Sequence, residues 1–352
     1  MSRMTRRTLG LSAAGFAAAT ALGKGARASE AVDPAKLLDP ELRGVAEMIA
    51  KAPMPAPSDA TVALMRQQTA GFTPPPLASP PVTFRTIPGP PGAPPVKVLV
   101  TGLKADVPSR PAVLHIHGGG FITGSAAMSA ADCQRLAVAL DCVVVSVDYR
   151  LAPETRFPGA LDDNYAALRW LHDNARELGV DRERIAVKGE SAGGGHAAML
   201  AIAARDRGEY RICCQVLIYP MLDDRTGSTR MPPAHIGTYL WTAERNRYGW
   251  SALLGFAPGS AEPPPGAVPA RVANLAGLPP TFIGVGALDL FVDEDVAYAR
   301  RLVDAAVPTE LLVMPGAIHG FDGIAPQARI SREFTAAWQS TLAAAFAGRF
   351  KS

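Results

Sequence analysis

The sequence predicts an α/β fold: a mostly parallel central sheet, covered by helices on both faces and carrying a mainly helical cap. Two observations predict it. From about residue 96 onward, short apolar runs alternate with longer amphipathic stretches, the pattern of strands buried on both faces and joined by crossover helices. Between Tyr219 and Leu278 that rhythm stops, and an insertion of this length with no clear strand is the usual mark of a lid.

Taken in order, residues 33–70 read as two short helices divided by the proline cluster at 53–57. Val82–Ile87 and Val96–Thr101 flank a Gly/Pro-rich turn and read as an antiparallel hairpin. Strands are then expected at 112–116, 143–147, 185–187, 214–219, 281–285 and 310–313. Helices are expected near 129–140, 160–178, 192–207, 293–306 and 327–347. The insertion holds Tyr239, Trp241, Tyr248, Trp250 and Phe256, then Pro263-Pro264-Pro265. The insertion, 221–278, is therefore expected to form a lid. The sequence shows no internal repeat.

With 48% hydrophobic and 19% charged residues, the chain has the composition of a protein with a large core. Its formal charge of +3 misleads, because residues 1–28 carry five of the 35 basic side chains and no acid. The remainder holds 30 basic against 32 acidic residues, about −2, with no basic stripe suited to nucleic acid. Within residues 1–28, Arg6 and Arg7 precede a weakly apolar run that ends in Ala26-Arg27-Ala28, a small-x-small site for cleavage before Ser29. The run is too short and too rich in Ala and Gly to span a membrane, and the arginine pair resembles a twin-arginine export signal. A periplasmic location is the expectation. Cys133, Cys142, Cys213 and Cys214 lack metal-ligand spacing and read as buried free thiols.

Two glycine-rich segments carry the chemistry. Gly189-Glu190-Ser191-Ala192-Gly193 follows an apolar strand and opens a helix. A strand turning that sharply into a helix forces its central residue into a strained conformation that only small neighbours allow. The turn lifts the Ser191 hydroxyl to the sheet edge and aims the helix's first amides at it. The second segment, His117-Gly118-Gly119-Gly120-Phe121, follows the 112–116 strand. Bare glycine backbone lets amides approach an oxyanion closely, as acyl transfer requires. In α/β hydrolases such a segment forms part of the oxyanion hole, and the amide after the nucleophile, here Ala192, forms the rest.

In the α/β-hydrolase fold the triad runs Ser, acid, His along the chain, so the base must follow Ser191. His196, His235 and His319 qualify by position. His196 lies within the helix that Ser191 opens and should point away from it, while His235 lies in the insertion. His319 sits in a loop just beyond the last strand, within reach of a nucleophile on a neighbouring strand. For the acid, Asp289 directly follows the 281–285 strand and ends at the same sheet edge. Asp293, Glu294 and Asp295 are rivals, but acids in a helix's first turn favour the helix dipole and need no catalytic role.

Together His117–Phe121, Asp148-Tyr149-Arg150-Leu151-Ala152-Pro153-Glu154, Gly189–Gly194, Asp289 and His319-Gly320-Phe321 resemble the hormone-sensitive-lipase group of α/β hydrolases, the bacterial family IV esterases. The resemblance runs from about Val96 to the C-terminus. It implies a cap over the active site built from residues 29–80 and 221–278, a catalytic domain of 81–220 and 279–352, Ser191, Asp289 and His319 as triad, and Gly118, Gly119, Gly120 and Ala192 as oxyanion donors. Phe121, Tyr239, Trp241 and Trp250 are the expected substrate-binding aromatics. The sequence departs from the family pattern at Thr155, where relatives have His, and at Glu190, Leu290 and His196. These departures touch substrate preference and leave the proton-transfer residues intact.

The implied activity is hydrolysis of short- to medium-chain carboxylic esters, a small-molecule substrate, with no metal or organic cofactor required. The alternatives are the same triad acting on an amide, carbamate or lactone, and a non-catalytic ligand-binding relative. The sequence specifies neither the oligomeric state nor the physiological ester.

Overall fold

Alternation along the strands sorts the apolar side chains onto two faces of a single sheet. The computed structural model describes residues 32–350 apart from 53, 54, 72, 106 and 108. The export signal expected over residues 1–28 lies outside the described residues. From Asp33 onward the chain forms one unit.

The eight strands are β1 (Val82–Ile87), β2 (Val96–Thr101), β3 (Arg110–Ile116), β4 (Val143–Asp148), β5 (Val180–Glu190), β6 (Gln215–Ile218), β7 (Thr281–Gly286) and β8 (Thr309–Met314). They lie in the order β1-β2-β4-β3-β5-β6-β7-β8. The β1–β2 hairpin is antiparallel, as its turn predicts, and β2 pairs antiparallel with β4. From β4 to β8 every pairing is parallel. The helices are α1 (Pro34–Leu37), α2 (Arg43–Lys51), α3 (Val62–Gly71), α4 (Ala130–Ala139), α5 (Gly159–Asp173), α6 (Ala192–Arg207), α7 (Ala243–Leu254), α8 (Val292–Asp304), α9 (Phe321–Ile324) and α10 (Arg329–Phe346). Among the described residues no helix is long and apolar enough to cross a membrane.

Successive strand side chains point to opposite faces. In β3, Ala112, Leu114 and Ile116 join one core with α5, α6 and α8, through Leu168, Met199 and Leu302. Val113 joins the other, with α4 and α10, through Leu136, Phe334 and Leu342. The same split divides Val143, Val145 and Val147 from Val144 in β4, and Ile185 and Val187 from Ala186 in β5. Because both faces are covered, the segments 112–114, 143–145 and 185–187 run apolar without a break and do not alternate with polar residues.

The insertion is more ordered than its sequence suggests. Thr242 caps α7, its hydroxyl accepting the Arg245 amide, and Gly255 ends the helix in the left-handed conformation. From the other side, α3 is tied down by Arg66. Its guanidinium donates to the carbonyls of Ile122 and Ala152 and forks onto Glu154 at 2.7–2.8 Å. That pairing holds the Glu154 carboxyl at about 2, well below its ordinary value. Cys133, Cys142 and Cys214 are buried thiols, and burial pushes Cys142 up to about 12.

Candidate active site

Parallel pairing brings the carboxyl ends of β3, β5, β7 and β8 to one edge, and the sequence-predicted residues sit in the loops just beyond them. Strand β5 ends at Glu190 and α6 starts at Ala192, so Ser191 alone makes the turn, with φ +56° and ψ −122°. This is a costly conformation for a residue bearing a Cβ. Its own backbone stabilises it: the Ser191 amide donates to Ile218, and the Ser191 carbonyl accepts the Gly195 and Met221 amides at 3.0 Å. The flanking glycines are required by contact. A Cβ on Gly189 would strike the Gly193 carbonyl, and one on Gly193 the carbonyls of Ile116 and His117. The turn therefore closes only with glycine at both places.

His319 Nε2 lies 2.9 Å from Ser191 Oγ, and His319 Nδ1 lies 2.8 Å from Asp289 Oδ2. The other oxygen of Asp289 accepts the Phe291 amide at 3.0 Å. All three side chains are buried, Asp289 completely. Three rings enclose the imidazole: Tyr219 with centroids 4.8 Å apart, Phe291 at 5.3 Å and Trp241 at 6.4 Å. Tyr219 is anchored by its hydroxyl, which donates to Asp322 at 2.7 Å. The sequence reading missed Tyr219 and Phe291 as neighbours of the imidazole, although Tyr219 directly follows β6 and Phe291 lies two residues after Asp289.

Gly119, Gly120 and Phe121 all have positive φ, at +126°, +61° and +68°. Among the described residues no acceptor takes the Gly119 or Gly120 amide, and Ala192 opens α6, where the first amides have no intrahelical partner. Gly118 packs against the turn, where a Cβ would lie 3.4 Å from Ser191 Cβ. Beneath the loop, His117 stacks on Tyr149 at 4.2 Å, and the Tyr149 hydroxyl donates to the His117 carbonyl. Burial pushes His117 down to about 4, so it is neutral at physiological pH and its Nδ1–H donates to the Gly118 carbonyl.

The rivals go elsewhere. His196 is buried between Phe121 and Tyr149, its ring edge-on to both at 4.8 Å, and burial pushes it down to about 3. His235 is half-buried in the insertion. Asp293 is exposed, but Glu294 and Asp295 are buried, which the helix-dipole argument does not anticipate. Glu294 accepts the amides of Leu222 and Asp223, where the chain leaves β6 for the insertion. Burial holds both carboxyls well above their ordinary range. Glu190, beside Ser191, accepts from Lys188 and from His115 Nε2, and His115 Nδ1 pairs with Ser146. Lys188 in turn lies over the Trp338 ring.

Of the four aromatics expected to bind substrate, Trp241 lies next to Gly120 and His319. Trp250 is fully buried with its ring edge against Phe121, which is itself 1% exposed; the two pack behind the glycine loop. Tyr239 is half-buried against the core on the α10 side of the sheet.

A family model for the alpha/beta hydrolase fold matches residues 113–323. Esterase LipI of Mycobacterium tuberculosis is 37% identical over 226 residues, covering 62% of this chain and 68% of LipI. Ethyl acetate hydrolase of Pseudomonas putida is 36% identical over 215 residues, covering 60% of this chain and 65% of that protein. The crystal structure of esterase LipW from Mycobacterium marinum superposes with a TM-score of 0.77 at 35% identity, over 90% of this chain and 98% of LipW. On the matched model, the sheet order and these likenesses, the chain belongs to the alpha/beta-hydrolase superfamily, in its hormone-sensitive-lipase-like group, and is a carboxylic ester hydrolase.

Proposed function

We propose that the chain hydrolyses short- to medium-chain carboxylic esters through a Ser191–His319–Asp289 triad. The reading rests on one observation above all: an unbroken hydrogen-bonded path from Ser191 Oγ through both imidazole nitrogens to a fully buried carboxylate. Ser191 Oγ attacks the ester carbonyl carbon while His319 Nε2 takes the hydroxyl proton, and Asp289 holds the Nδ1–H tautomer and steadies the imidazolium. The carbonyl oxygen becomes an oxyanion held by the amides of Gly119, Gly120 and Ala192. His319 returns the proton to the departing alkoxide, leaving an acyl-enzyme. Water, deprotonated by the same imidazole, then attacks that acyl carbon and releases the carboxylic acid and Ser191.

A fluorophosphonate probe and a panel of p-nitrophenyl esters from acetate to palmitate test the reading. Labelling at Ser191 is expected, with kcat/KM rising from acetyl to butyryl or hexanoyl and falling beyond about ten carbons as the pocket fills. A profile still climbing at palmitate with activation at an oil–water interface overturns the bounded-pocket part. We also propose that residues 1–28 direct export to the periplasm by the twin-arginine route, on the strength of Arg6-Arg7 and the Ala26-Arg27-Ala28 site.

A further inference from the structure

The segment from Gly237 to Trp241 touches the acid, base and oxyanion loops in turn. The Gly237 amide donates to the carbonyl of Leu288, the residue before Asp289, and a Cβ on Gly237 would press on the Leu290 side chain. The Leu240 side chain lies over Gly320, the residue after His319. Trp241 lies on Gly120, where any Cβ would run into its six-membered ring. Leu240 takes a left-handed backbone, φ +56°, which a non-glycine residue adopts only when its surroundings impose it. That bend aims the following indole at the oxyanion loop.

What holds the indole is separate from the triad. Trp241 Nε1 donates to Asn246 Oδ1 at 3.1 Å, and Asn246 Nδ2 donates to the Thr226 carbonyl at 2.8 Å. Asn246 is fully buried, so with both ends engaged its amide has one satisfied orientation: oxygen toward the indole, nitrogen toward Thr226. It sits in the first turn of α7, and that helix packs directly on the oxyanion loop, where a Cβ on Gly249 would lie 2.6 Å from the Gly120 carbonyl oxygen. The wall is thus set by the protein before any ligand arrives.

We propose that Trp241 is the size-limiting wall of the ester cleft, and that Asn246 is a positioning residue that fixes it there. This rests on the reading of Ser191 as nucleophile and Gly119–Gly120 as oxyanion donors. With the carbonyl oxygen on those amides, a substituent of the carbonyl carbon that extends past Gly120 meets the indole. The favoured substrates are esters with a compact group on that side. Once the indole is removed, each further methylene that finds room should raise kcat/KM by about fourfold.

The test uses the full-length chain and two series: p-nitrophenyl esters of lengthening acyl chain, and acetates of lengthening alcohol. Trp241→Ala is expected to move the optimum of one series at least two carbons longer while lowering kcat/KM for the smallest ester. Asn246→Ala should shift the same series in the same direction to a smaller extent, mainly through KM. That shift should vanish in a Trp241→Phe background, which has no indole N–H to hold. Fluorophosphonate labelling of each variant reports whether Ser191 is still active, and Trp241→Leu serves if the alanine variant does not label. Labelled Trp241 variants with wild-type length profiles in both series overturn the proposal. So does an Asn246→Ala that only lowers Tm. Failure of the wild-type chain to label at Ser191 removes instead the nucleophile reading on which the proposal rests.

Discussion

His319 Nδ1 lies 2.8 Å from a carboxylate oxygen of Asp289 whose neighbour oxygen is already held by the Phe291 amide. The second bond fixes the carboxylate plane, so its free lone pairs face the imidazole. Asp289→Asn keeps the shape but can present an amide N–H to Nδ1, stabilising the wrong tautomer. A fall in kcat of about 10⁴-fold is expected, against less than about tenfold for the exposed Asp293→Asn. Steady-state kinetics with the ranking reversed would move the acid into α8.

The path from Ser191 to His319 makes a second set of variants informative. Residues acting as one unit lose their effect together, so Ser191→Ala and His319→Ala should each cut kcat by at least about 10⁴-fold, with the double variant little worse. His235→Ala, in the insertion, should retain most of the activity. If His319→Ala instead keeps a tenth of the wild-type rate, the base is another residue.

Acid stability tests the buried imidazoles. Burial pushes His117 down to about 4 and His196 down to about 3, so both are neutral in the folded chain near pH 5. In the unfolded chain both take up protons near pH 6.5. The unfolded state therefore binds more protons below that pH, and stability falls as pH drops from about 6.5 toward about 3–4, by up to about 1.4 kcal/mol per pH unit for each group. Among the described residues neither ring nitrogen of His196 has a hydrogen-bond partner. His196→Leu is thus expected to raise stability at pH 7 by about 1–2 kcal/mol and to flatten the acid limb. Melting curves at pH 5 and 7 showing the same loss of Tm in variant and wild type would contradict this.

Export is tested at the N-terminus. The mature chain from its natural host is expected to begin at or near Ser29, and replacing Arg6 and Arg7 with Lys should leave precursor in the cytoplasm. N-terminal sequencing that finds Met1 on the purified protein would rule the signal out.

What the sequence determined by itself is what local patterns encode. Strand period, helix caps and glycine spacing act within a few residues, so the alternation from 112 to 347 and the Gly189–Gly193 turn were legible without a structure. The glycines are a case in point: the collisions a Cβ would meet at Gly189 and Gly193 explain why the motif must read as it does. Helix α7 carried its own signals, Thr242 before it and Gly255 after it, yet its polar and aromatic mixture hid them.

Only the tertiary structure decided which like residues do different things. Trp241 and Trp250 are alike in sequence, but Trp250 packs behind the glycine loop and Trp241 stands beside His319, because a strained Leu240 and the Asn246 amide turn the indole there. Asp293, Glu294 and Asp295 form one acidic run, of which the fold exposes the first and buries the other two. Ser191 and His319 are 128 residues apart, and no local rule measures that distance. Parallel register sets it, by ending β5, β7 and β8 at one edge so that a turn and two loops meet there.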